Sequence, residues 1–116
     1  MNTETLNWAD CIKQSNNKPD LARDLLSMLA LELPDFKKKI SSALSTLNKK
    51  DLQFHAHKLH GACCYCGANR LKALLHDLES CITTWSDTLL TNKAEEIIEE
   101  IDALANAIKV NISQRH

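Results

Sequence analysis

The residues best suited to chemistry are crowded into one short stretch, AHKLHGACCYCGA, at residues 56–68. It holds His57, His60 and three of the five cysteines, and both side-chain types can act as nucleophiles or as metal ligands. If the stretch is helical, His57, His60 and Cys64 follow one another at spacings of three and four residues and share one helix face. Nucleophilic group transfer and metal binding are therefore both open to it.

The apolar pattern around His57 predicts that its ring faces solvent. At about 100° per residue, one narrow stripe of apolar residues marks the buried side of the helix. The stripe consists of Leu52, Ala56, Leu59, Cys63 and Cys66. His57 falls about 140° from the centre of that stripe, and Gly61 lies one turn further on. An exposed imidazole beside a bare patch of helix suits a nucleophile that meets a second protein and holds a phosphoryl group.

Two other chemistries compete for the same residues. The pattern His-x-x-His-x-x-x-Cys offers zinc three ligands, with His76 as a distant fourth. Structural zinc sites draw ligands from two elements, and no second ligand pair stands elsewhere in the sequence, so we expect no bound metal. A cysteine enzyme is weaker still, because no residue is evident that would orient His60 as a base for Cys64. The alternative from a different functional class is a helical module that binds a partner protein and carries out no chemistry.

Composition favours one small helical domain. Two glycines, two prolines and 4% aromatic residues favour long helices over a turn-rich sheet. A length of 116 residues suits a single domain and is too short for a nucleotide-hydrolysing kinase with a substrate domain. The net charge of −1 provides no strongly basic face, so we expect neither nucleic acid nor a membrane surface as a partner.

The cysteines indicate a reducing compartment. Their number is odd, and three of the five crowd one helix, where neighbouring side chains diverge too far for a disulfide framework. No secretory segment precedes them and no apolar run of about 18 residues occurs. We therefore expect a cytoplasmic chain.

Two helices are predicted ahead of the histidine stretch. Asn7 can cap a short one. Pro19 suits the first turn of a longer one, because its missing N–H costs nothing there. An apolar stripe spaced by four and three residues runs from Ala22 to Leu47 and crosses Pro34, which predicts a bent helix or two abutting helices.

The helix that carries His57 is predicted to begin near Asp51 and to end near Cys66. Gly67 would then end it in the left-handed conformation, which other residues adopt only at a cost. Gly61 lies inside the predicted helix and so cannot end it. A glycine at such a position costs about 0.5–1 kcal/mol of helix stability relative to alanine. Close approach of a partner or a phosphate would compensate for that cost.

Two further helices complete the chain. The first is predicted from about Asn69 to Thr83. Its outer side carries three polar residues, Lys72, His76 and Glu79. A loop is predicted from Trp85 to Leu90, followed by a capping box of Asn92 and Glu95 and the last helix. Four striped helices with short links predict an all-α fold, an antiparallel four-helix bundle with an additional short N-terminal helix. The single domain would span 1–116, with the lid helix in 1–17 and the bundle in 19–113.

The histidine stretch also carries a family resemblance. The run from His57 to Cys63, followed by Gly67, resembles the signature of histidine-containing phosphotransfer (HPt) domains. That signature is a histidine, any residue, an aliphatic residue, usually a lysine, a glycine, two small residues and a later glycine. Residues 20–24, 33–34 and 75–79 are also similar to the C-terminal HPt domains of BarA/GacS-type hybrid sensor kinases, so the resemblance covers most of the chain.

The resemblance implies that His57 is the phosphorylated residue of a multistep phosphorelay. It would accept a phosphoryl group from the aspartate of one response-regulator receiver domain and pass it to another, with Mg²⁺ supplied by the receiver and no cofactor in this chain. No phosphate-binding glycine loop occurs, so no ATP-dependent kinase activity is expected. The isolated domain is expected to be a monomer, tethered at the cytoplasmic face of the membrane if it belongs to a sensor kinase.

The surroundings of the phosphate are expected to be Lys58, His60, Gly61 and Cys64. His60 stands where the signature usually has lysine, so the cation there is only partly present at neutral pH. Phe54, one turn before His57 and predicted to be exposed, is expected to dock the receiver together with Gln53.

Overall fold

The structure, a computed structural model, describes residues 4–114. Within that range the chain forms five α-helices and no strand. They are α1 (Trp8–Gln14), α2 (Pro19–Ser45), α3 (Lys49–Cys63), α4 (Asn69–Cys81) and α5 (Asp87–Gln114). The first three residues of the predicted lid segment 1–17 lie outside the described residues. The predicted all-α fold is confirmed.

Helices α2 to α5 form the four-helix bundle. Each packs against the next along the chain, and α5 closes the ring by packing against α2. The links are short, which makes sequential helices antiparallel. Leucine and isoleucine side chains from all four helices fill the core, including Leu26, Leu33, Leu59, Leu75 and Ile101. The domain measures 44 × 26 × 18 Å, so the bundle is elongated and its long sides are formed by the outer surfaces of the helices.

Helix α1 lies across the end of the bundle where α3 turns into α4. Asn7 caps it as predicted, because its side chain accepts the Asp10 backbone N–H at 2.9 Å. The backbone N–H of Asn7 donates to the carbonyl of Gly67 at 2.9 Å. The Asn69 side-chain amide donates to Asp10 Oδ2, also at 2.9 Å. Cys11, on the inner side of α1, is fully buried, so this helix closes one end of the core.

The end of α3 differs from the prediction. The helix stops at Cys63 rather than near Cys66, and a turn at residues 64–67 leads to Gly67, whose φ of 66° is left-handed as expected. A Cβ on Gly67 would collide with the backbone carbonyl oxygen of Asn7. Gly67 therefore does more than reverse the chain, since it also lets the segment before α1 approach the turn.

Helix α2 is continuous through Pro34, so of the two predicted forms the single helix is the one observed. Its buried residues are Ala22, Leu26, Leu29, Leu33, Ile40 and Ala43, which is the predicted stripe. Phe36 is only half-buried. Leu47, predicted to end the stripe, lies beyond the helix with a positive φ of 49° and is exposed. The core therefore ends one turn earlier than the periodicity alone indicated.

The start of α5 was predicted wrongly. The segment from Trp85 to Leu90 is not all loop, because α5 begins at Asp87, and Asn92 and Glu95 lie inside it rather than forming a cap. Ser86 caps the helix instead, with its hydroxyl accepting the Leu89 backbone N–H at 3.2 Å. Leu90 is fully buried, and burial of this side chain extends the apolar stripe of α5 one turn earlier. Helix α4 likewise ends at Cys81, slightly before Thr83.

Candidate functional site

His57 projects from α3 into solvent. Its side chain is 77% exposed, whereas Leu52, Ala56 and Leu59 on the opposite face are buried. Gly61, one turn later, is also exposed, and a Cβ placed on it would meet nothing within 4 Å. The bare patch predicted beside the imidazole is therefore present. A second macromolecule can approach the ring along this face of α3.

A carboxylate from the neighbouring helix holds the ring. Nδ1 of His57 lies 2.6 Å from Oε1 of Glu79 on α4. An ionised carboxylate can only accept a hydrogen bond, so Nδ1 carries the proton and donates it. In the neutral ring the other nitrogen, Nε2, then carries the lone pair. The contact therefore favours one orientation and one tautomer of an otherwise solvent-exposed imidazole.

The same carboxylate meets a second histidine. Nδ1 of His60 lies 3.7 Å from Oε2 of Glu79, and the His60 ring centroid lies 6.3 Å from that of His76. His60 and Glu79 are 22% and 19% exposed, so both are largely covered where α3 meets α4. The His60 ring is thus partly covered beside Glu79 and is not fully exposed on the surface. It contacts the site through Glu79.

Glu79 is the site residue that sequence reasoning missed. Its position on the outer side of α4, beside exposed residues such as Lys72 and His76, made it look like a solvated acid. The structure instead turns its side chain toward α3. The pairing joins residues 22 positions apart on two helices, so only the register between α3 and α4 could have revealed it.

The other residues predicted around the phosphate take different places. The Lys58 ammonium lies over the Phe54 ring, 4.9 Å from its centroid, which is a cation–π geometry. Cys64 is half-buried at the end of α3, where its backbone N–H bonds to the His60 and Gly61 carbonyls. Of the four, Gly61 lies on the same face as His57 with no covering side chain nearby.

An apolar surface runs between α2 and α3 beside the histidine. Phe54 is exposed as predicted, and Gln53 is exposed too. Leu31, which is 83% exposed, lines a groove together with Phe54 and Lys58. Met28 and Tyr65, both exposed, line the adjoining groove. Sequence reasoning missed these three although Met28 and Leu31 fall off the buried stripe of α2, which was the available signal.

Three of the five cysteines are buried in the core. All five are free thiols. Burial raises the pKa of Cys11 to about 11 and that of Cys66 to about 12, and it raises the pKa of Cys63 further. These three thiols therefore stay protonated at neutral pH and act as small core side chains. Among residues 4–114, no three His, Cys, Asp or Glu side chains are grouped so that they could hold a metal ion.

The fold and the site define a class of small helical bundles that present one exposed histidine, oriented by a carboxylate, on a helix surface. A family model described as the Hpt domain matches residues 24–108. The chain therefore belongs to the histidine-containing phosphotransfer (Hpt) domain family. None of the described helices is long and apolar enough to cross a membrane.

Individual relatives agree with this assignment. The chain is 35% identical over 105 residues to the signal transduction histidine-protein kinase BarA of Shigella flexneri and of Escherichia coli (strain K12), and 30% identical to the sensor histidine kinase GacS of Pseudomonas protegens. These matches cover 90% of this chain but only 11% of each relative. A crystal structure of the HPT domain from a Shewanella sensor hybrid histidine kinase matches with a TM-score of 0.87 and 34% identity, over 97% of each chain.

Proposed function

We propose that this domain relays phosphoryl groups between receiver domains and that His57 is the residue that carries them. The observation that supports the proposal is the pairing of an exposed His57 ring with Glu79, which leaves Nε2 free beside the bare surface at Gly61. A buried or unoriented imidazole would serve this role poorly, since the nucleophile must reach into another protein's active site.

The chemical step needs only the neutral ring and an aspartyl phosphate. The Nε2 lone pair of His57 attacks phosphorus, the bond from phosphorus to the aspartyl oxygen breaks, and the electron pair leaves with the aspartate as a carboxylate. The reverse sequence on a second receiver returns the ring to its neutral form. Mg²⁺ and the acidic residues that stabilise the transferring group would come from the receiver.

The residues around the ring divide the remaining work. Gly61 leaves space for the receiver's active site, and His60 holds Glu79 from its other side. Lys58 follows His57 in the chain and lies over the Phe54 ring. Cys64 keeps the end of α3 free of a bulky side chain. We assign the charge screening of the phosphate to Lys58 and His60.

The receiver would dock on the face shared by α2 and α3. Phe54, Leu31, Met28 and Tyr65 form an apolar surface beside His57, and Gln53 adds a polar contact at its edge. Exposed apolar surface of this kind, rimmed by charges such as Glu32 and Lys39, is typical of protein-binding sites.

We further propose that the domain has no kinase activity of its own and acts as a phosphocarrier tethered to a sensor kinase on the cytoplasmic side. The chain spans about a ninth of the length of the curated relatives it matches, and those relatives are named as histidine kinases. The phosphoryl donor would then be a receiver domain, either of the same kinase or of a separate response regulator.

A transfer assay tests the proposal. Incubation with a phosphorylated receiver should label the domain with phosphate that is labile in acid and stable in alkali. His57→Gln should abolish the label without changing helix content, whereas His76→Gln, which changes an exposed histidine on α4, should keep it. Label that persists in His57→Gln would move the site elsewhere. Receiver binding without any label on the wild type would favour an interaction module without chemistry.

A further inference from the structure

Glu79 makes a contact that a simple surface acid would not make. Its carboxylate bonds Nδ1 of His57 at 2.6 Å through one oxygen and faces Nδ1 of His60 at 3.7 Å through the other. The side chain is only 19% exposed, so the contact with the exposed imidazole is shielded from much of the solvent on the Glu79 side. A hydrogen bond of this length between a ring N–H and a carboxylate is charge-assisted.

We propose that Glu79 is a positioning residue whose negative charge keeps the proton on Nδ1 of His57 after phosphorylation, so that the phosphorylated ring remains an effective donor. This inference rests on the proposed function of His57 as the phosphoryl carrier. It assigns to Glu79 a role beyond orientation, because a neutral hydrogen-bond acceptor could orient the ring equally well.

The charge balance of the transfer step gives the reason. Attack by Nε2 on the aspartyl phosphate releases the aspartate with the bonding electron pair, and the ring keeps its Nδ1 proton. The product is a phosphorylated imidazolium with a formal positive charge. A nearby carboxylate stabilises that cation and opposes loss of its proton.

The proton matters for the second transfer. A ring that retains its Nδ1 proton leaves phosphorus as neutral imidazole when the next receiver aspartate attacks. A ring that has lost the proton would have to leave as an imidazolate anion, which is a far poorer leaving group. Glu79 therefore favours onward transfer by holding the proton in place between the two transfers.

Other titratable groups line two grooves, one that contains His60 and one that contains Lys58, and could exert part of the same effect. They are His55 and Lys58 on α3, Lys72, His76 and Asp77 on α4, Asp10 on α1, and Glu32, Asp35 and Lys39 on α2. Asp77 is the best comparison. It carries the same charge as Glu79, lies two positions away on the same helix and borders the groove that contains His60 and His76. The contact that distinguishes Glu79 is its bond to His57.

The test compares Glu79→Gln with Asp77→Asn. Glutamine keeps the shape of the side chain and a carbonyl oxygen that can accept the Nδ1 hydrogen bond, so only the charge is lost. Each protein is phosphorylated with phosphoramidate, and the ³¹P and ¹⁵N signals of the phosphohistidine are followed against pH. In Glu79→Gln the midpoint at which Nδ1 loses its proton is expected to fall by about 1 pH unit relative to the wild type. Asp77→Asn should shift it by no more than about 0.2.

Onward transfer to a receiver provides the second measurement. Glu79→Gln is expected to slow it about five- to tenfold at pH 8, with a smaller effect at pH 6, where the ring stays protonated in both proteins. An unchanged midpoint in Glu79→Gln, or an equal shift in Asp77→Asn, overturns the role of Glu79 while leaving His57 as the carrier. Phosphate that still appears in His57→Gln overturns the proposed function itself, so the two failures are distinguishable.

Discussion

Arg70 on α4 reaches the buried carboxylate of Glu100 on α5, with its Nε atom 3.3 Å from Oε1. The two partners are unequally placed, because the Arg70 side chain is 59% exposed whereas Glu100 is almost fully buried. The second carboxylate oxygen of Glu100 is buried and has no hydrogen-bond partner among residues 4–114. The positive charge of Arg70 therefore offsets part of the cost of burying the Glu100 carboxylate.

Removal of the two partners should have unequal effects on stability. Arg70→Met leaves an uncompensated buried carboxylate and is expected to lower the free energy of unfolding by about 2 kcal/mol. Glu100→Met leaves Arg70 free to turn into water and should change stability by less than about 0.5 kcal/mol or raise it. Urea denaturation of both variants measures the difference. A larger loss in Glu100→Met than in Arg70→Met would contradict this account.

Gly61 offers a separation of stability from activity. A Cβ there meets nothing, so Gly61→Ala should raise the free energy of unfolding by about 0.5–1 kcal/mol through helix propensity alone. The same methyl group would stand in the gap beside His57 and is expected to slow transfer from a receiver severalfold. Thermal unfolding and single-turnover transfer measure the two effects. Ser80→Ala, which also places an alanine at an exposed helical position but on α4, is the control for a change in helix propensity. A Gly61→Ala protein that transfers at the wild-type rate would show that Gly61 is not part of the site.

The parts of the site that the sequence predicts are those that depend on one helix at a time. The orientation of His57 and the bare surface at Gly61 follow from the periodicity of α3, and both are observed. The role of Glu79 depends on how α4 is rotated and shifted against α3, which no pattern within α4 encodes. The same limit applies to the contact between His60 and Glu79, which also depends on the register of the two helices.

The errors in the fold have a comparable origin. Leu90 was predicted to lie in a loop ahead of a capping box at Asn92, yet α5 begins at Asp87 and Leu90 is buried in the core. The left-handed Gly67 was predicted from its type, whereas its close approach to Asn7 is a tertiary contact. The local sequence patterns therefore predict which segments are helical, whereas packing between helices determines where α3 ends and where α5 begins.

Buried thiols should make the domain sensitive to alkali. Burial raises the pKa of Cys66 to about 12 and that of Cys11 to about 11, against 9.0 for an exposed thiol. Because the unfolded chain releases these protons at lower pH than the folded chain, the free energy of unfolding is unaffected below pH 9 and falls as pH rises toward 11. Each thiol contributes a slope of about 1.4 kcal/mol per pH unit in that window.

The slope can be assigned to one thiol by difference. Cys66→Ala should lose stability less steeply than the wild type between about pH 9 and 11, by about 1.4 kcal/mol per pH unit. Lysine and tyrosine titrations are common to both proteins and cancel in the comparison. Urea denaturation under reducing conditions across this range is the measurement. Parallel slopes in the two proteins would show that Cys66 is not protected by burial.

The apolar surface between α2 and α3 should matter for meeting the receiver and not for folding. Leu31 and Phe54 are exposed, so Leu31→Ser and Phe54→Ser should each change the free energy of unfolding by less than about 0.5 kcal/mol. Each is expected to raise the KM for a phosphorylated receiver about five- to thirtyfold, because an apolar contact is lost at the interface while His57 and Glu79 keep their geometry. The rate at saturating receiver should stay within about twofold of the wild type.

Val110 provides the matched control for this surface. It is also an exposed aliphatic residue, but it lies on α5 in the groove beside Glu4 and Leu6, away from the α2–α3 face. Val110→Ser should therefore leave KM unchanged. If all three serine variants raise KM alike, the rise does not depend on where the apolar side chain was removed, and the receiver does not dock on α2 and α3. If Leu31→Ser and Phe54→Ser lower the saturated rate instead of raising KM, the surface acts on the chemical step, because weaker docking alone leaves that rate intact.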